Sequence, residues 1–232
     1  MIWFLRITVS VLVAFAAGSS AMADEPIIRV TGEATLSVAP DRATIDLGVE
    51  TENQNAGQVA SQNAKKVDAV IQQLRKRFGK TVAVKTLSYS ITPRYRYPKD
   101  GGQREKDGFT AANVVRVDTG ALDQVGNIID VATSAGANRV QQLQFLLRDE
   151  EPSRAEALRA ATRSARAKAQ AIAEALGLRL GNVISVDESG ASLAPVGPQL
   201  RMMSTAGKVA TPVEAGNIEV RAELTLSVEA TR

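Results

Sequence analysis

From Ile28 the apolar and small side chains fall on even positions, Ile28, Val30, Gly32, Ala34, Leu36 and Val38, with polar ones between them. A period of two marks a strand with one buried face. Pro40-Asp41 turns the chain, and alternation resumes at Ala43, Ile45, Leu47 and Val49, so the two segments predict a β-hairpin. Asp41 is expected to bond the backbone of its own turn. The cleanest alternation comes last: Ile218, Val220, Ala222, Leu224, Leu226 and Val228 against Glu219, Arg221, Glu223, Thr225, Ser227 and Glu229. Two further strands flank a hydrophilic stretch at 98–108. Leu87, Tyr89, Ile91, Pro93, Tyr95 and Tyr97 share one face, mirrored by Phe109, Ala111, Asn113, Val115 and Val117. This reads as a long hairpin, and Pro93 implies a sheet edge or a bulge because it has no N–H to give the ladder. Short apolar runs around Val140–Leu147 and Val183–Val186 predict two buried strands.

Three segments carry helical spacing. Gly57–Phe78 places Ala60, Asn63, Val67, Val70, Leu74 and Phe78 on one side and stops at Gly79; Leu122–Ala135 places Leu122, Val125, Ile129 and Ala132 inward and stops at Gly136. The third opens on Ser153-Arg154-Ala155-Glu156, the pattern of a capping box, and closes at Gly177. Its apolar positions Ala155, Leu158, Ala165, Ala169, Ile172 and Leu176 define a mostly alanine face that should lie close to whatever it covers. Hairpins mixed with strand-helix-strand crossovers predict an α+β fold: largely antiparallel sheet, with about three helices packed on one face. The C-terminal strand and the Pro93 strand are the expected sheet edges.

Two segments stand outside this pattern. Arg6, an apolar run from Ile7 to Ala17, and Ala21-Met22-Ala23 before Asp24 read as a secretory signal peptide at 1–23 with an A-x-A cleavage site. The apolar run is too short to span a bilayer. The expected mature chain is therefore 24–232, one domain, exported, with no membrane span after cleavage. The stretch 190–217, rich in Gly, Ala and Pro, reads as a long loop. Its Leu193, Leu200, Met202 and Met203 are candidate contacts with a neighbouring subunit, since methionine adapts to irregular apolar surfaces.

Composition narrows the chemistry. The chain holds no cysteine and no histidine. Thiolate nucleophiles, disulfides and the histidine bases and ligands of common hydrolases and metal centres are thereby excluded. Carboxylate-pair chemistry, a Ser-Lys dyad or an oxygen-only cation site remain open. With 28 basic and 25 acidic residues, mixed along the chain, charge is weak evidence for any polyanion partner.

The ordered motifs Ile28-x-Val30-x-Gly32, Val38-x-Pro40-Asp41-x-Ala43-x-Ile45, Leu87-Ser88-Tyr89-Ser90-Ile91-x-Pro93-x-Tyr95, Ala112-Asn113-Val114 and Gly136-Ala137-Asn138 resemble the SIMPL domain family. Ala157-Leu158, Lys168-Ala169, Leu180-Gly181 and Thr211-Pro212 continue the resemblance, which runs from about Ile28 to Val228. Within the family the chain is most similar to the periplasmic immunogenic and oxidative stress defence proteins of Gram-negative bacteria. The resemblance implies a periplasmic α+β protein that tends to form oligomers, and it supplies no catalytic residues. Ala34 stands where the family often has a second glycine.

Each candidate site has a plainer explanation beside it. Asp149-Glu150-Glu151 suits the positive end of a helix as well as a hard cation. Asn63 and Asn113, amides on apolar faces, are expected to tie helix to sheet. Arg159, Arg163 and Arg166 on one helix, and Arg94 and Arg96 beside tyrosines, read as solvated cations, an anionic envelope surface being second and nucleic acid a distant third. No S-x-x-K, G-x-S-x-G or phosphate loop occurs. The expectation is a non-catalytic periplasmic protein without cofactor or metal, peripheral to the outer membrane at most. It would work by self-assembly and contacts with envelope proteins, in envelope or oxidative stress defence. The alternative is a binding module for a small molecule or envelope polymer, using the Tyr89, Tyr95 and Tyr97 face or the 190–217 loop. A carboxylate-pair hydrolase would need two acids converging in one cleft.

Overall fold

The computed structural model describes residues 26–98, 102–195 and 211–232. The leader positions Ala21, Ala23 and Asp24 lie outside them, as do Leu200, Met202 and Met203. Seven strands and three α-helices follow in the order β1 (Ile27–Val38), β2 (Arg42–Asn53), α1 (Ala56–Phe78), β3 (Val82–Arg96), β4 (Glu105–Thr119), α2 (Val125–Ala135), β5 (Arg139–Leu146), α3 (Glu151–Ala175), β6 (Arg179–Pro195) and β7 (Ile218–Thr231). The fold is α+β, with every strand pair antiparallel.

The strands form two sheets, ordered β1-β7-β6 and β3-β4-β2-β5. The β1–β2 hairpin expected from Pro40-Asp41 is therefore replaced by a crossing between sheets. β1 pairs along its whole length with β7, Ile28 opposite Val228 and Val38 opposite Ile218. Both strands alternate with the same phase, so pairing them sets one continuous apolar face against α3. Asp41 stabilises the crossing differently from the expectation: its Oδ1 accepts from the N–H of Arg148 at 2.6 Å, and its own N–H donates to the Leu146 carbonyl at 3.2 Å. The C-terminal strand β7, expected at an edge, is central. The edges are β1, β6, β3 and β5.

Helix α1 begins where Asn55 accepts from the N–H groups of Gly57 and Gln58, at 2.8 and 3.1 Å, and ends at Gly79, whose φ of 55° favours a residue without Cβ. It buries Val59, Asn63, Val67, Val70 and Leu74 against β2 and β4. With α2 it covers one face of the four-stranded sheet over Ile45, Leu47, Val49, Val115 and Val117. β2 and β3 run in the same direction with β4 between them, joined by α1 as a crossover.

Helix α3 lies close against the three-stranded sheet on an alanine face, as expected, and that face includes Ala165 and Ala169 but turns away from Ile172 and Leu176. Ala157, Ala161, Ala165, Ala169 and Ala173 are fully buried, whereas Ile172 is 40% and Leu176 65% exposed. Close approach explains the choice. A Cβ on Gly32 of β1 would fall 2.2 Å from the Ala161 carbonyl oxygen and 2.6 Å from the Ala165 Cβ, leaving no room for branched side chains. The capping box is also displaced. The helix starts at Glu151, Asp149 Oδ1 accepts the Glu151 N–H at 3.1 Å, and Glu156 faces solvent.

The two apolar runs read as buried strands are edges. In β5 only Phe145 is buried, and β6 is a 17-residue strand on which Val183, Ile184 and Val186 stay about half exposed. Residues 190–195 of the expected loop belong to β6, and 105–108 of the expected hairpin tip belong to β4. Past the loop, Thr211 Oγ1 donates to Asp130 Oδ1 of α2 at 2.7 Å, Val213 packs on the four-stranded layer, and Asn217 Nδ2 donates to Ser37 Oγ at 2.8 Å. This strap ties one layer to the other.

Candidate functional site

The face of the four-stranded sheet opposite α1 carries charge, and most of it is paired. Arg116 donates two bonds to Asp46, 2.6 and 2.7 Å, directly across the β2–β4 ladder. Arg42 holds Asp118, Arg139 holds Glu50 at 2.6 Å, and Arg94 holds Glu52 and Asp107. The carboxylate bonds raise the pKa of Arg42 and of Arg116, hydrogen bonding to Asp118 and to Asp46 being the respective main cause. Such a ladder fixes strand register and leaves few charges free to bind a ligand.

The amides act as the sequence suggests for one of the pair. Asn63 is fully buried, and its Nδ2 donates to the carbonyls of Val49 on β2 and Ala111 on β4, at 2.8 and 3.1 Å, so α1 is tied to the two central strands. The Oδ1 atoms of Asn63 and Asn113 are buried without a partner among the described residues. Asp149 serves the α3 backbone, Glu150 bonds Arg154 at 2.8 Å, and Arg159 and Arg163 bond Glu156 at 3.3 and 3.1 Å. Among the described residues no three acids gather as a metal site.

The tyrosines are strung along one strand rather than gathered into a pocket. Tyr89 and Tyr95 on β3 and Tyr97 just beyond it are exposed, and the Arg104 guanidinium lies over the Tyr95 ring at 3.7 Å. Two hollows lie elsewhere. One of about 440 Å³ sits between α1 and α2, lined by Ala69, Gln73, Asp130, Val131, Ser134 and Ala135. The other, about 370 Å³, lies on the open face of the three-stranded sheet, where Glu33 and Glu223 stand directly opposite each other. Both carboxylates are exposed, a setting in which water screens them, unlike the buried acid of a hydrolase pair.

What stands out is apolar surface on two edges. Leu87, Tyr89, Ile91 and Tyr95 on β3, and Val183, Ile184 and Val186 on β6, are exposed, while β1 and β5 expose one large apolar residue each, Ile27 and Val140. The strand at Val183–Val186 is expected from the sequence, but as a buried one, because an apolar run has the same appearance in a buried strand and in an edge strand. Leu193, expected at a subunit contact, sits opposite Val220 and packs on the core of its own layer.

Comparison with known proteins places this surface in a family context. Residues 28–228 match the SIMPL family, described as protein of unknown function (DUF541). The chain is similar to the 26 kDa periplasmic immunogenic protein of Brucella melitensis, 27% identical over 214 residues that cover 88% of this chain and 85% of the relative. It is also similar to the uncharacterized protein YggE of Escherichia coli K12, 28% identical over 200 residues, 86% and 79% of the two chains. YggE of Edwardsiella ictaluri is 27% identical over 181 residues, 78% and 75%. Among the described residues no helix is long and apolar enough to cross a membrane.

Proposed function

The chain belongs to the SIMPL family, and from that membership we propose that it is a non-catalytic periplasmic protein acting through self-assembly and protein contacts. The observation that carries this reading is the concentration of exposed large apolar side chains on the edges of β3 and β6. An edge strand offers unpaired N–H and C=O groups. Apolar flanks beside such groups invite pairing. Export by the leader at 1–23, with cleavage between Ala23 and Asp24, is part of the proposal, supported by a relative named for the periplasm. A role in envelope or oxidative stress defence belongs to the same reading.

Light scattering on the mature chain, Asp24 to Arg232, tests self-assembly. A mass of at least twice the monomer at about 10 micromolar is expected, within the range of ordinary specific association. A strictly monomeric chain at that concentration overturns the reading.

A further inference from the structure

The four sheet edges differ in how they are finished. On β1, Lys168 Nζ of α3 donates to the Thr31 carbonyl at 2.7 Å, occupying a backbone acceptor. On β5 the exposed positions are mostly Arg139, Gln141, Gln142 and Gln144, with Arg139 held by Glu50. The register of β6 shifts between Leu180 and Val183, between Val183 and Ser185, and between Glu188 and Ala191. Its regular runs beside β7 are therefore Ser185–Glu188, which holds two acids, and Ala191–Pro195, which ends in proline. Charges, bulges and proline of this kind keep sheets from pairing with one another.

β3 is finished differently. Its register with β4 shifts between Thr86 and Ser88 and again between Pro93 and Tyr95, and the run between these shifts, Ser88–Pro93, is regular. Every residue from Thr86 to Pro93 is uncharged and exposed. Tyr89 and Ile91 stand opposite Asn113 and Ala111, on the α1 side of the sheet. Ser88, Ser90 and Thr92 stand opposite Val114, Ala112 and Thr110, on the charged side. The nearest charges only flank the run: Lys85 precedes it, and Arg94 follows it, turned back onto Glu52 and Asp107 of its own sheet.

We propose, building on the self-assembly reading, that Ser88–Thr92 of β3 pairs antiparallel with the same run of a second copy, about a two-fold axis perpendicular to the sheet at Ser90. An axis at a residue makes every pair one of equal parity. Paired side chains then share a face, and outward-pointing backbone groups meet outward-pointing ones. Tyr89 of each copy lies beside Ile91 of the other on the α1 side, an aromatic and β-branched pair of the kind that stabilises sheets. On the charged side Ser90 meets its own counterpart and Ser88 meets Thr92, hydroxyl beside hydroxyl. The contact ends at Leu87 and Pro93, where the register shifts begin and where proline has no N–H to give. Two four-stranded sheets become one continuous sheet. A two-fold contact places the same patch on both sides, so it requires a self-complementary edge, and this uncharged run is one.

The chain holds no cysteine, so a single cysteine placed on this edge reports its own pairing. In the mature chain, Ser90→Cys should give a disulfide-linked dimer under mild oxidation, because the axis brings the two copies of position 90 within the Cα separation of a disulfide, under about 7 Å. Ser88→Cys alone should not, since its two copies stand four residues apart along the ladder, about 14 Å. Mixed with Thr92→Cys, it should cross-link. Ser90→Lys sets two ammonium groups face to face and should weaken the association at least about tenfold by light scattering and sedimentation. All these side chains are exposed, so circular dichroism and the urea midpoint of the monomer should stay unchanged, separating lost contact from lost fold. If the wild type assembles but Ser90→Cys does not cross-link, or Ser88→Cys alone links as readily, or Ser90→Lys leaves assembly intact, this contact is overturned while self-assembly stands. If Val186→Cys on β6 links instead, β6 is the contact and the proposal is again overturned. A monomeric wild type overturns both.

Discussion

Beneath α1 and α2 the four-stranded sheet is filled by Val, Leu and Ile side chains from both layers, Val67, Val70, Leu74, Ile128 and Ile129 meeting Ile45, Leu47, Val49, Val115 and Val117. Under α3 the three-stranded sheet meets a helix whose buried face is five alanines. The first layer gains stability through large apolar surfaces at ordinary spacing, roughly 1.5–3 kcal/mol for each large side chain fully buried. The second buries little area per helix residue and relies on close contact, with the Gly32 backbone packed against Ala161 and Ala165. The two layers should therefore fail in opposite directions: one when atoms are removed, the other when atoms are added.

The largest effect is expected from removal in the first layer. Leu74 is fully buried among Val and Ile side chains, and Leu74→Ala leaves a cavity costing about 2–5 kcal/mol in urea unfolding. A loss below about 1 kcal/mol would mean that the layer collapses around the gap, and the contrast with the alanine layer would lose its basis.

Next comes addition in the second layer. Ala169 of α3 is fully buried against the three-stranded sheet, and Ala169→Leu forces helix and sheet apart at a cost of about 1–3 kcal/mol. The same enlargement at Ile172, as Ile172→Phe, falls on a position 40% exposed and should leave the melting temperature nearly unchanged. The reverse ranking of these two variants would show that α3 packs through Ile172 and Leu176 rather than through its alanines.

That pair of positions shows where sequence reasoning reached and where it stopped. Strand alternation at Ile28–Val38, Ala43–Val49 and Ile218–Val228 is a local property, and all three strands formed as expected. The pairing partner is not local. β1 meets β7, nearly the length of the chain away, and no feature of Pro40-Asp41 distinguishes a hairpin turn from a crossing between sheets. For α3, the larger residues Ile172 and Leu176 drew the predicted face toward themselves, while the decisive feature, the missing Cβ at Gly32, lies more than a hundred residues earlier. Val183, Ile184 and Val186 read as buried for a similar reason: whether a strand has a neighbour on both sides is decided by the sheet, not by the strand. Asn63 was legible because an amide on an apolar helix face needs partners, and the carbonyls of Val49 and Ala111 supply them.

The smallest effect concerns the solvent side of α3, where the alanine face has its polar counterpart. Hydrogen bonds from Arg163 and then Arg159 hold the Glu156 carboxyl below its ordinary 4.5. A carboxylate whose folded pKa is depressed stabilises the fold above its unfolded pKa, and that contribution is lost as the pH falls through the lowered folded value. Glu156→Gln should therefore lower the melting temperature slightly at pH 7, and the gap should close as the pH falls through the lowered folded value, where the wild-type carboxyl becomes protonated too. Arg163→Ala should show the same trend more weakly, since Arg159 still bonds Glu156 at 3.3 Å. Between about pH 6 and 8 both wild type and variants should be flat, because the chain holds no histidine or cysteine to titrate there. A gap that widens in acid would mean that Glu156 is stabilised in its protonated form, contrary to its arginine partners, and that the outer face of α3 is not the solvated surface that its alanine side implies.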